Sequence, residues 1–364
     1  MDDFFAITPV NPEPFVITWD LGRRCNYDCS YCPPHRHDNF SPHASLEELK
    51  STTEFLFEYI DLISTYRQSK EFCISFTGGE PTVNPNFIKF SSYLVDQYQK
   101  RYKDKFNLSL DLTTNGSISK KIVNFVIENF NHVTISYHPE ANDVLKKQVI
   151  DNIRFFNFSK IKIKVNVMFH VDYFDECVEL CNTFNLENIK YVPRIIGETA
   201  NSKYSHIERY TKLQKEWFEN YWGLKIDQNV RPCCGNRTIG LCGSNGISES
   251  KVVNFREFKD WYCSVNWYFL HIDQQSDAIY THQTCQATFN NARGSIGKIS
   301  KWRDIIDDLK YKIDSKNVTI IVCPNKICGC GLCTPKSKRI DILKNSMEFV
   351  LNDTSILSYP IVSR

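Results

Sequence analysis

Three cysteines stand close together near the beginning of the chain. Cys25, Cys29 and Cys32 are spaced as Cys-x3-Cys-x2-Cys and follow the apolar run 15–19. Three thiolates in one short loop can meet at a single metal centre, and such soft ligands favour an iron–sulfur cluster or zinc. Structural zinc requires a fourth ligand, whereas three thiolates can hold a 4Fe–4S cluster and leave one iron open to a small molecule. The spacing therefore predicts a 4Fe–4S cluster, with zinc as the alternative.

The composition limits the class of protein. The chain has 364 residues, 42% of them hydrophobic, and its 44 Lys and Arg balance its 42 Asp and Glu. These values predict a folded protein with one large and one smaller domain, and they give no argument for nucleic-acid binding. The 15 cysteines are too sparse for a disulfide scaffold, and neither a secretory signal nor an apolar membrane-spanning run is visible. A reducing cytoplasm is expected, where clustered cysteines are typical of metal or catalytic sites.

Short β-like runs alternate with helical stretches in the first half of the chain. The predicted strands are 15–19, 72–76, 108–113, 133–136, 161–169 and 189–195, and the predicted helices are 46–66, 87–102, 118–129, 144–156 and 174–184. Ser45 and Glu48 form a capping-box pattern before the first helix. Because parallel strands need crossover connections, the alternation predicts an α/β fold, a partial (β/α)6 TIM-type barrel. The chemistry of such a barrel lies in the loops that follow its strands.

The second half of the chain has a different pattern. Residues 1–197 are predicted to form the barrel core, 198–260 an irregular bridging segment that faces the substrate, and 261–364 a cysteine-rich auxiliary domain. The auxiliary domain is expected to contain a β-hairpin with runs at 270–273 and 278–281 and a helix after it. A final amphipathic helix is predicted at about 339–351.

A second motif, Thr-Gly-Gly-Glu-Pro at residues 77–81, follows the second predicted strand. Glycines allow close approach to the backbone, and carbonyl and carboxylate oxygens can accept hydrogen bonds from an ammonium group. With this motif and the pattern Cys-x3-Cys-x-aromatic-Cys, residues 12–197 resemble the radical S-adenosylmethionine (SAM) superfamily. The resemblance implies a SAM-binding cluster on the three cysteines of the loop. It also implies cofactor contacts by Tyr31, Gly78, Gly79 and Glu80, the last three at the amino group of SAM.

Further candidates lie where later strands end. Sequences of this superfamily often have Thr-Asn-Gly after the third strand and a polar residue after the fourth, which makes Asn115 and Ser136 candidate cofactor contacts; a turn and a strand cap are the alternatives. His138 and Glu140 follow the fourth strand and are candidates for acid–base or substrate-binding roles, with a solvated loop as the alternative. Arg194 lies on the sixth strand, where a cation inside a barrel needs an anionic partner such as a substrate or cofactor carboxylate.

Six cysteines of the C-terminal region form another pattern. Cys263 and Cys285 flank the predicted hairpin, and a turn-rich run then carries Cys323, Cys328, Cys330 and Cys333. In their order they resemble the twitch form of the auxiliary domain of radical SAM enzymes, which is related to the longer SPASM domain. The resemblance implies an auxiliary 4Fe–4S cluster held by Cys263, Cys285 and two of the four cysteines of the turn-rich run. The alternative is a zinc knuckle formed by all four cysteines of that run. The roles of Cys233, Cys234 and Cys242 are left open.

The resemblance also implies a reaction. A reductase such as flavodoxin or ferredoxin would supply an electron, SAM would be cleaved to a 5′-deoxyadenosyl radical, and that radical would abstract hydrogen from a substrate. We expect an oxidation of a small or carrier-bound metabolite, assisted by the auxiliary cluster. A peptide-modifying enzyme is placed second, because only about fourteen residues precede the first strand, too few for an N-terminal peptide-binding module. The third alternative is a non-catalytic iron–sulfur or zinc scaffold, which would not need the segment 77–81.

Overall fold

The computed structural model describes residues 6–7, 14–32, 36–196, 209–223, 259–281, 288–289, 292–293, 295–315, 320–323, 336–341, 343 and 361–362. Within these ranges the strands are β1 (Ala6–Ile7), β2 (Phe15–Asp20), β3 (Glu71–Thr77), β4 (Asn107–Thr114), β5 (His132–Tyr137), β6 (Lys162–Phe169), β7 (Tyr191–Ile195), β8 (Tyr262–Cys263), β9 (Phe269–Asp273), β10 (Ala278–Tyr280), β11 (Thr288–Phe289), β12 (Ala292–Arg293), β13 (Ser295–Gly297), β14 (Ile320–Val322), β15 (Lys336–Ser337) and β16 (Ile361–Val362). The helices of the same ranges are α1 (Leu46–Ser64), α2 (Phe87–Arg101), α3 (Lys120–Asn129), α4 (Asp143–Phe158), α5 (Phe174–Leu186), α6 (Lys212–Trp222) and α7 (Trp302–Asp314). None of these helices is long and apolar enough to cross a membrane. Most of the predicted final helix lies outside the described residues.

The largest sheet has the alternation that the sequence predicts. Its order is β13-β10-β9-β2-β3-β4-β5-β6-β7, and the strands from β2 to β7 run parallel to their neighbours. Helices α1 to α5 each connect two successive strands of this parallel set. The arrangement confirms the partial (β/α)6 TIM-type barrel.

Alternate residues of each barrel strand pack against the helices. On β2 these are Phe15, Ile17 and Trp19, all fully buried, and the ring of Trp19 lies 5.5 Å from the rings of Phe76 and Phe90. Burying one such side chain stabilises the fold by roughly 1.5–3 kcal/mol. Residues of the opposite parity face the space that the strands enclose, which we call the barrel interior.

Helix α1 begins at the predicted capping box. The Ser45 hydroxyl accepts a hydrogen bond from the Glu48 N–H at 3.2 Å, and the Glu48 carboxylate accepts one from the Ser45 N–H at 2.7 Å. The two bonds satisfy N–H groups that the helix itself leaves without acceptors, which stabilises the helix by about 1 kcal/mol.

The predicted hairpin forms and extends the barrel sheet. Strands β9 and β10 pair antiparallel, and β9 also pairs in parallel with β2, so that Asp20 lies opposite Asp273. The hairpin turn therefore lies beside the loop that follows β2. There the Gln275 side-chain oxygen accepts a hydrogen bond from the Arg23 N–H at 2.9 Å.

A second sheet consists of short strands in the order β1-β15-β8-β14-β16. Cys263 of β8 pairs with Ile321 of β14 and with Lys336 of β15. Cys323 follows β14 directly, and its N–H donates a hydrogen bond to the Trp261 carbonyl oxygen at 2.8 Å. Two of the predicted auxiliary ligands thus lie on neighbouring strands.

The bridging segment contains a helix where the sequence analysis expects irregular structure. At the start of α6, Thr211 and Gln214 form a capping box, with hydrogen bonds of 3.3 and 2.9 Å. Phe218 is fully buried and its ring centroid lies 5.0 Å from that of Phe169 on β6. Burial of this aromatic face stabilises a helix whose remaining residues are mostly polar, and so the expectation for this part of the segment was wrong.

Candidate metal centre and barrel interior

The predicted cluster ligands lie in the loop after β2, at the carboxyl end of the strand. Cys29 is buried, with 8% of its surface exposed, and Cys25 and Cys32 are half-buried. The loop turns at Cys32, whose N–H donates a hydrogen bond to the Cys29 carbonyl oxygen at 3.0 Å. Partly enclosed thiols at the mouth of a barrel are suited to a cluster that one small molecule can reach.

Asp38 closes this loop through its backbone and its carboxylate. Its carbonyl oxygen accepts a hydrogen bond from the Cys25 N–H at 2.7 Å, and its own N–H donates to the Arg23 carbonyl oxygen at 3.0 Å. The carboxylate accepts a hydrogen bond from the Ser41 N–H at 2.7 Å and lies 3.2 Å from Arg23 Nη2. These contacts fix the backbone beside the first predicted ligand.

Gly78 and Gly79 bring the end of β3 against the same loop. The Gly79 N–H donates a hydrogen bond to the Gly22 carbonyl oxygen at 2.8 Å. A Cβ atom on Gly79 would lie 2.2 Å from the Arg23 carbonyl oxygen, and one on Gly78 would lie 2.5 Å from the Gly22 carbonyl oxygen. Any larger residue would push the strand end away from the cysteine loop, so the motif requires glycine at both positions.

Glu80 joins the ends of β3 and β4. It is 3% exposed, and its carboxylate accepts hydrogen bonds from the Thr82 N–H and hydroxyl, the Thr114 hydroxyl and the Asn115 N–H, at 2.6–3.1 Å. Burial raises the pKa of Glu80, and the hydrogen bonds act in the opposite direction. Both carboxylate oxygens already have donors from the protein, so the expected contact with the SAM amino group stays a prediction.

Asn115, a predicted cofactor contact, lies against the first cysteine of the loop. Its Nδ2 atom lies 2.8 Å from Asn26 Oδ1 and 3.9 Å from Cys25 Sγ. The Tyr27 N–H also donates to Cys25 Sγ, at 3.4 Å. N–H groups directed at a ligand sulfur tune a bound cluster, which fits the predicted role of Cys25.

Tyr31 and His138 form a stacked pair beside the loop. The tyrosine hydroxyl forms a hydrogen bond with the His138 ring, and burial raises the pKa of Tyr31 and lowers that of His138 to about 4. This hydrogen bond, to His138 Nδ1, is 2.5 Å long, and the ring centroids are 5.9 Å apart. Cys29 Sγ lies 3.5 Å from the same nitrogen. The structure thus places His138, a predicted acid–base residue, in contact with the cysteine loop.

Glu140 contacts the same loop from the segment after β5. Its carboxylate accepts hydrogen bonds from the Ser30 N–H at 2.9 Å and from the Ser30 hydroxyl at 2.6 Å. His170 Nε2 lies 3.7 Å from one of its oxygens. Ser30 stands between the second and third predicted ligands, so Glu140 helps to set the position of both.

Ser136 and Arg194 face the barrel interior. Ser136 has the opposite parity to Ile135 and Tyr137, which pack against the helices, and it pairs with Asn166 of β6. Arg194 Nε donates a hydrogen bond to Asn166 Oδ1 at 3.1 Å. The two predicted contacts therefore line one part of the interior, and their binding roles stay predictions.

The state of the thiols bears on which metal group they suit. Burial raises the pKa of Cys29 to about 12 and that of Cys32 to about 11, so cluster binding must release their protons. Within the described ranges, no three His, Cys, Asp or Glu side chains are placed to hold a single metal ion. These thiols stay the predicted ligands of a 4Fe–4S cluster, with zinc as the alternative.

Sequence analysis missed a polar group on the other side of the loop. Three polar side chains face the barrel interior: Asp20 of β2, and His271 and Asp273 of β9. In the pairing of the two strands, Thr18 lies opposite His271 and Asp20 lies opposite Asp273. Burial raises the pKa of Asp20 to about 6, and the charge of Asp273 contributes to the rise. The sequence signal that could have revealed this group is the presence of polar residues at alternate positions of otherwise apolar strands.

Part of the auxiliary cysteine pattern lies within the described residues. Cys263 and Cys323 are 4% and 8% exposed. They share a face of the second sheet, because Cys263 lies opposite Ile321, two residues before Cys323. Lys336, fully buried, lies opposite Cys263 on the other side. The remaining cysteines of the C-terminal half lie outside the described residues: Cys233, Cys234, Cys242, Cys285, Cys328, Cys330 and Cys333.

Comparison with known proteins gives a family match over the region of the cysteine loop. The family model of the Radical SAM superfamily matches residues 19–155. This range includes the three cysteines of the loop, the Gly-Gly-Glu segment and Asn115.

Two curated relatives match different amounts of the chain. YydG of Bacillus subtilis, which is named for a role in peptide biosynthesis, is 27% identical over 262 residues, covering 67% of this chain and 73% of YydG. A GTP 3′,8-cyclase of Nautilia profundicola is 30% identical over 135 residues, covering 36% of this chain and 38% of the cyclase. The chain therefore spans less than half of that cyclase.

Solved structures share the fold at low sequence identity. The structure of anSMEcpe with bound AdoMet and Kp18Cys peptide covers 93% of this chain and 97% of its own, with a TM-score of 0.53 and 15% identity. The structure of anSMEcpe with bound AdoMet and Cp18Cys peptide covers 79% of this chain and 78% of its own, with a TM-score of 0.51 and 15% identity. The likeness extends the shared fold beyond the region that the family model matches.

Proposed function

We propose that this chain, whose residues 19–155 match the family model of the Radical SAM superfamily, is a radical SAM enzyme with a 4Fe–4S cluster on Cys25, Cys29 and Cys32. The observation that carries the proposal is the contact between the cysteine loop and the end of β3. The hydrogen bond from Gly79 to Gly22, and the lack of room for a Cβ on Gly79, bring the two motifs together. A scaffold that only stored iron would not need this second segment.

The cluster and SAM, when bound, supply a 5′-deoxyadenosyl radical that abstracts hydrogen from a substrate. The residues of the chain position these groups and exclude water. The residues that would hold SAM are those predicted from the sequence: Tyr31, Gly78, Gly79, Glu80, Asn115 and Ser136. Arg194 lines the interior that receives the substrate.

His138 and Glu140 are positioning residues in this proposal, although the sequence makes them candidates for acid–base or substrate-binding roles. Each contacts the cysteine loop directly, His138 at Tyr31 and Glu140 at Ser30. Two hydrogen bonds between one carboxylate and one serine restrict the loop between its second and third ligands. These contacts would restrict the loop whose three cysteines would hold the cluster.

We also propose an auxiliary 4Fe–4S cluster at the second sheet. Cys263 and Cys323 share a buried face, and the fully buried Lys336 lies beside Cys263, where its positive charge would offset that of thiolates. Cys285 and one of Cys328, Cys330 and Cys333 complete the ligand set. Iron analysis after anaerobic reconstitution tests this: about eight irons per chain supports two clusters, and about four with bound zinc supports the zinc knuckle.

A peptide is the substrate class that the similarities favour. The match to YydG covers 67% of the chain, whereas that to the Nautilia cyclase covers 36%. Elements beyond the barrel core help to shape substrate sites, so the longer match carries more weight for substrate choice. This reverses the preference of the sequence analysis, in which a small or carrier-bound metabolite comes first. Co-expression with short peptides encoded next to its gene, followed by mass spectrometry, separates the two classes.

Formation of 5′-deoxyadenosine tests the enzymatic proposal itself. Protein reconstituted anaerobically should form 5′-deoxyadenosine from SAM when dithionite is added, and a Cys29→Ser variant should form none. A wild-type protein that carries intact clusters and forms no 5′-deoxyadenosine would refute the proposal. In the cell, the electron would come from a flavodoxin- or ferredoxin-type reductase in the cytoplasm, and replacement of dithionite by such a reductase tests that partner.

A further inference from the structure

The interior face between β2 and β9 holds three acceptor side chains next to the cysteine loop. Asp20 and Asp273 lie directly opposite each other on these parallel strands, and His271 lies two residues before Asp273, opposite Thr18. Because strand residues two apart point to the same side, the two β9 side chains share one face with Asp20. The rings of His271 and Tyr280 lie 5.8 Å apart, which closes the group on the side of β10.

The carboxylates have unused acceptor capacity. Asp20 Oδ1 accepts a hydrogen bond from the Gly22 N–H at 3.0 Å, and Asp273 Oδ1 accepts one from the Ser276 N–H at 2.9 Å. Within the described part of the chain, the second oxygen of each carboxylate has no donor, and neither carboxylate forms an ion pair within 4.0 Å. A carboxylate can accept about four hydrogen bonds.

His271 gives an independent sign of a missing partner. It is 5% exposed, and its Nδ1 atom is buried without a hydrogen-bond partner in the described structure. Burial lowers the pKa of His271 to about 4, so its ring is neutral and can accept a hydrogen bond. An unsatisfied buried polar atom destabilises the folded protein, and a ligand that hydrogen-bonds to it removes this cost.

Two contacts place the group beside the cysteine loop. Asp20 is the last residue of β2, and its Oδ1 accepts the hydrogen bond from the Gly22 N–H where the loop begins. The side-chain oxygen of Gln275, two residues after Asp273, accepts a hydrogen bond from the Arg23 N–H in the same loop. A ligand bound to the three acceptors therefore lies beside the cysteine loop.

We propose that Asp20, Asp273 and His271 bind a positively charged nitrogen of the substrate, an ammonium or guanidinium group. Three acceptors on one face of two neighbouring strands, two of them carboxylates, match a cation with several N–H donors. For a peptide substrate, the group is a Lys or Arg side chain or a free amino terminus. The inference rests on the proposed function, because it places this nitrogen next to the site of hydrogen abstraction.

Small probes can test this site without the substrate. Saturation-transfer NMR on the reconstituted, SAM-loaded protein should show binding of propylammonium and methylguanidinium and weaker or no binding of 1-propanol and propionate. Asp273→Asn and Asp20→Asn should each weaken propylammonium binding by about tenfold or more, since a charge-assisted contact is lost. Asp307→Asn is the matched control, because Asp307 is exposed on α7. Iron content and circular dichroism verify that each variant folds.

Equal binding of propylammonium and 1-propanol to the wild-type protein would overturn the inference, whatever the variants do. Binding of propylammonium to the protein without SAM but not to the SAM-loaded protein would also overturn it, because the site would then hold the amino group of the cofactor. Formation of 5′-deoxyadenosine is measured on the same samples. If 5′-deoxyadenosine forms but propylammonium does not bind, only this inference fails. If propylammonium binds but no 5′-deoxyadenosine forms, the proposed function fails.

Discussion

Two acidic groups, one buried and one half-buried, lie on opposite sides of the cysteine loop, and their surroundings differ. Glu80, at the end of β3, accepts hydrogen bonds from Thr82, Thr114 and Asn115 through both of its oxygens. Asp20 and Asp273, at the ends of β2 and β9, each accept one backbone hydrogen bond. A carboxylate with all its acceptor positions in use holds strands together, whereas one with spare positions can bind a ligand. The β3 side therefore supports the loop, and the β2 side is open to a partner.

The largest effect is expected for Gly79→Ala on the β3 side. The new Cβ would meet backbone oxygens at 2.2 and 2.5 Å, and these belong to a loop that hydrogen bonds hold in place, so relief requires the cysteine loop to move. We expect a loss of about 3 kcal/mol or more in the free energy of unfolding, together with loss of bound iron. Urea unfolding and iron analysis measure both.

The matched control for that substitution is Gly223→Ala, at the end of α6. No atom lies within 4 Å of a Cβ at this position, although its φ of 69° is unfavourable for alanine. The loss in the free energy of unfolding should be about 1 kcal/mol, and the iron content should not change. Equal behaviour of the two variants would show that the contact between β3 and the loop is not required.

The next prediction compares the stability effects of isosteric substitutions in the two acidic groups. Glu80→Gln turns one acceptor oxygen into an N–H donor that faces other donors, and we expect a loss of about 2–3 kcal/mol in stability. Asp273→Asn should change stability by less than about 1 kcal/mol, because one acceptor suffices for its single backbone bond. Urea unfolding of the reconstituted proteins compares them, and equal losses would remove the distinction between the two sides.

The smallest effect concerns the pH dependence of stability. The pKa of Asp20 rises from 3.8 to about 6 in the folded protein, so the folded state binds this proton more tightly than the unfolded state does. The contribution of Asp20 to stability is therefore favourable below about pH 4 and is lost as the pH rises through about 6. Asp20→Asn should be more stable than the wild type at pH 7, by on the order of 2 kcal/mol, and should show no such gain near pH 4. A gain that does not change with pH would contradict this account of Asp20.

Sequence patterns predicted the barrel and the cysteine loop because both depend on local signals. The alternation of strand and helix, the Ser45–Glu48 box and the spacing of Cys25, Cys29 and Cys32 can be read within short windows. The role of Glu80 could not be read in this way, since its donors Thr114 and Asn115 are more than thirty residues away along the chain.

Long-range pairing also explains what the sequence analysis missed. Asp20 and Asp273 meet only because β9 pairs with β2, and nothing in either segment specifies that neighbour. Their place after a strand makes His138 and Glu140 candidates for acid–base or substrate-binding roles. Their contacts with Tyr31 and Ser30 depend on how the cysteine loop folds over the barrel mouth.

The central claim, that SAM binds a cluster held by Cys25, Cys29 and Cys32, can be tested by electron paramagnetic resonance of the reduced, reconstituted protein. Addition of SAM should change the cluster signal of the wild type and of Cys73→Ser, which alters a buried thiol of β3 outside the loop. A variant with all three loop cysteines replaced by serine should show no SAM-dependent signal, even if an auxiliary cluster remains. A wild-type signal that SAM leaves unchanged, or a SAM-dependent signal that survives in the triple variant, would contradict the claim.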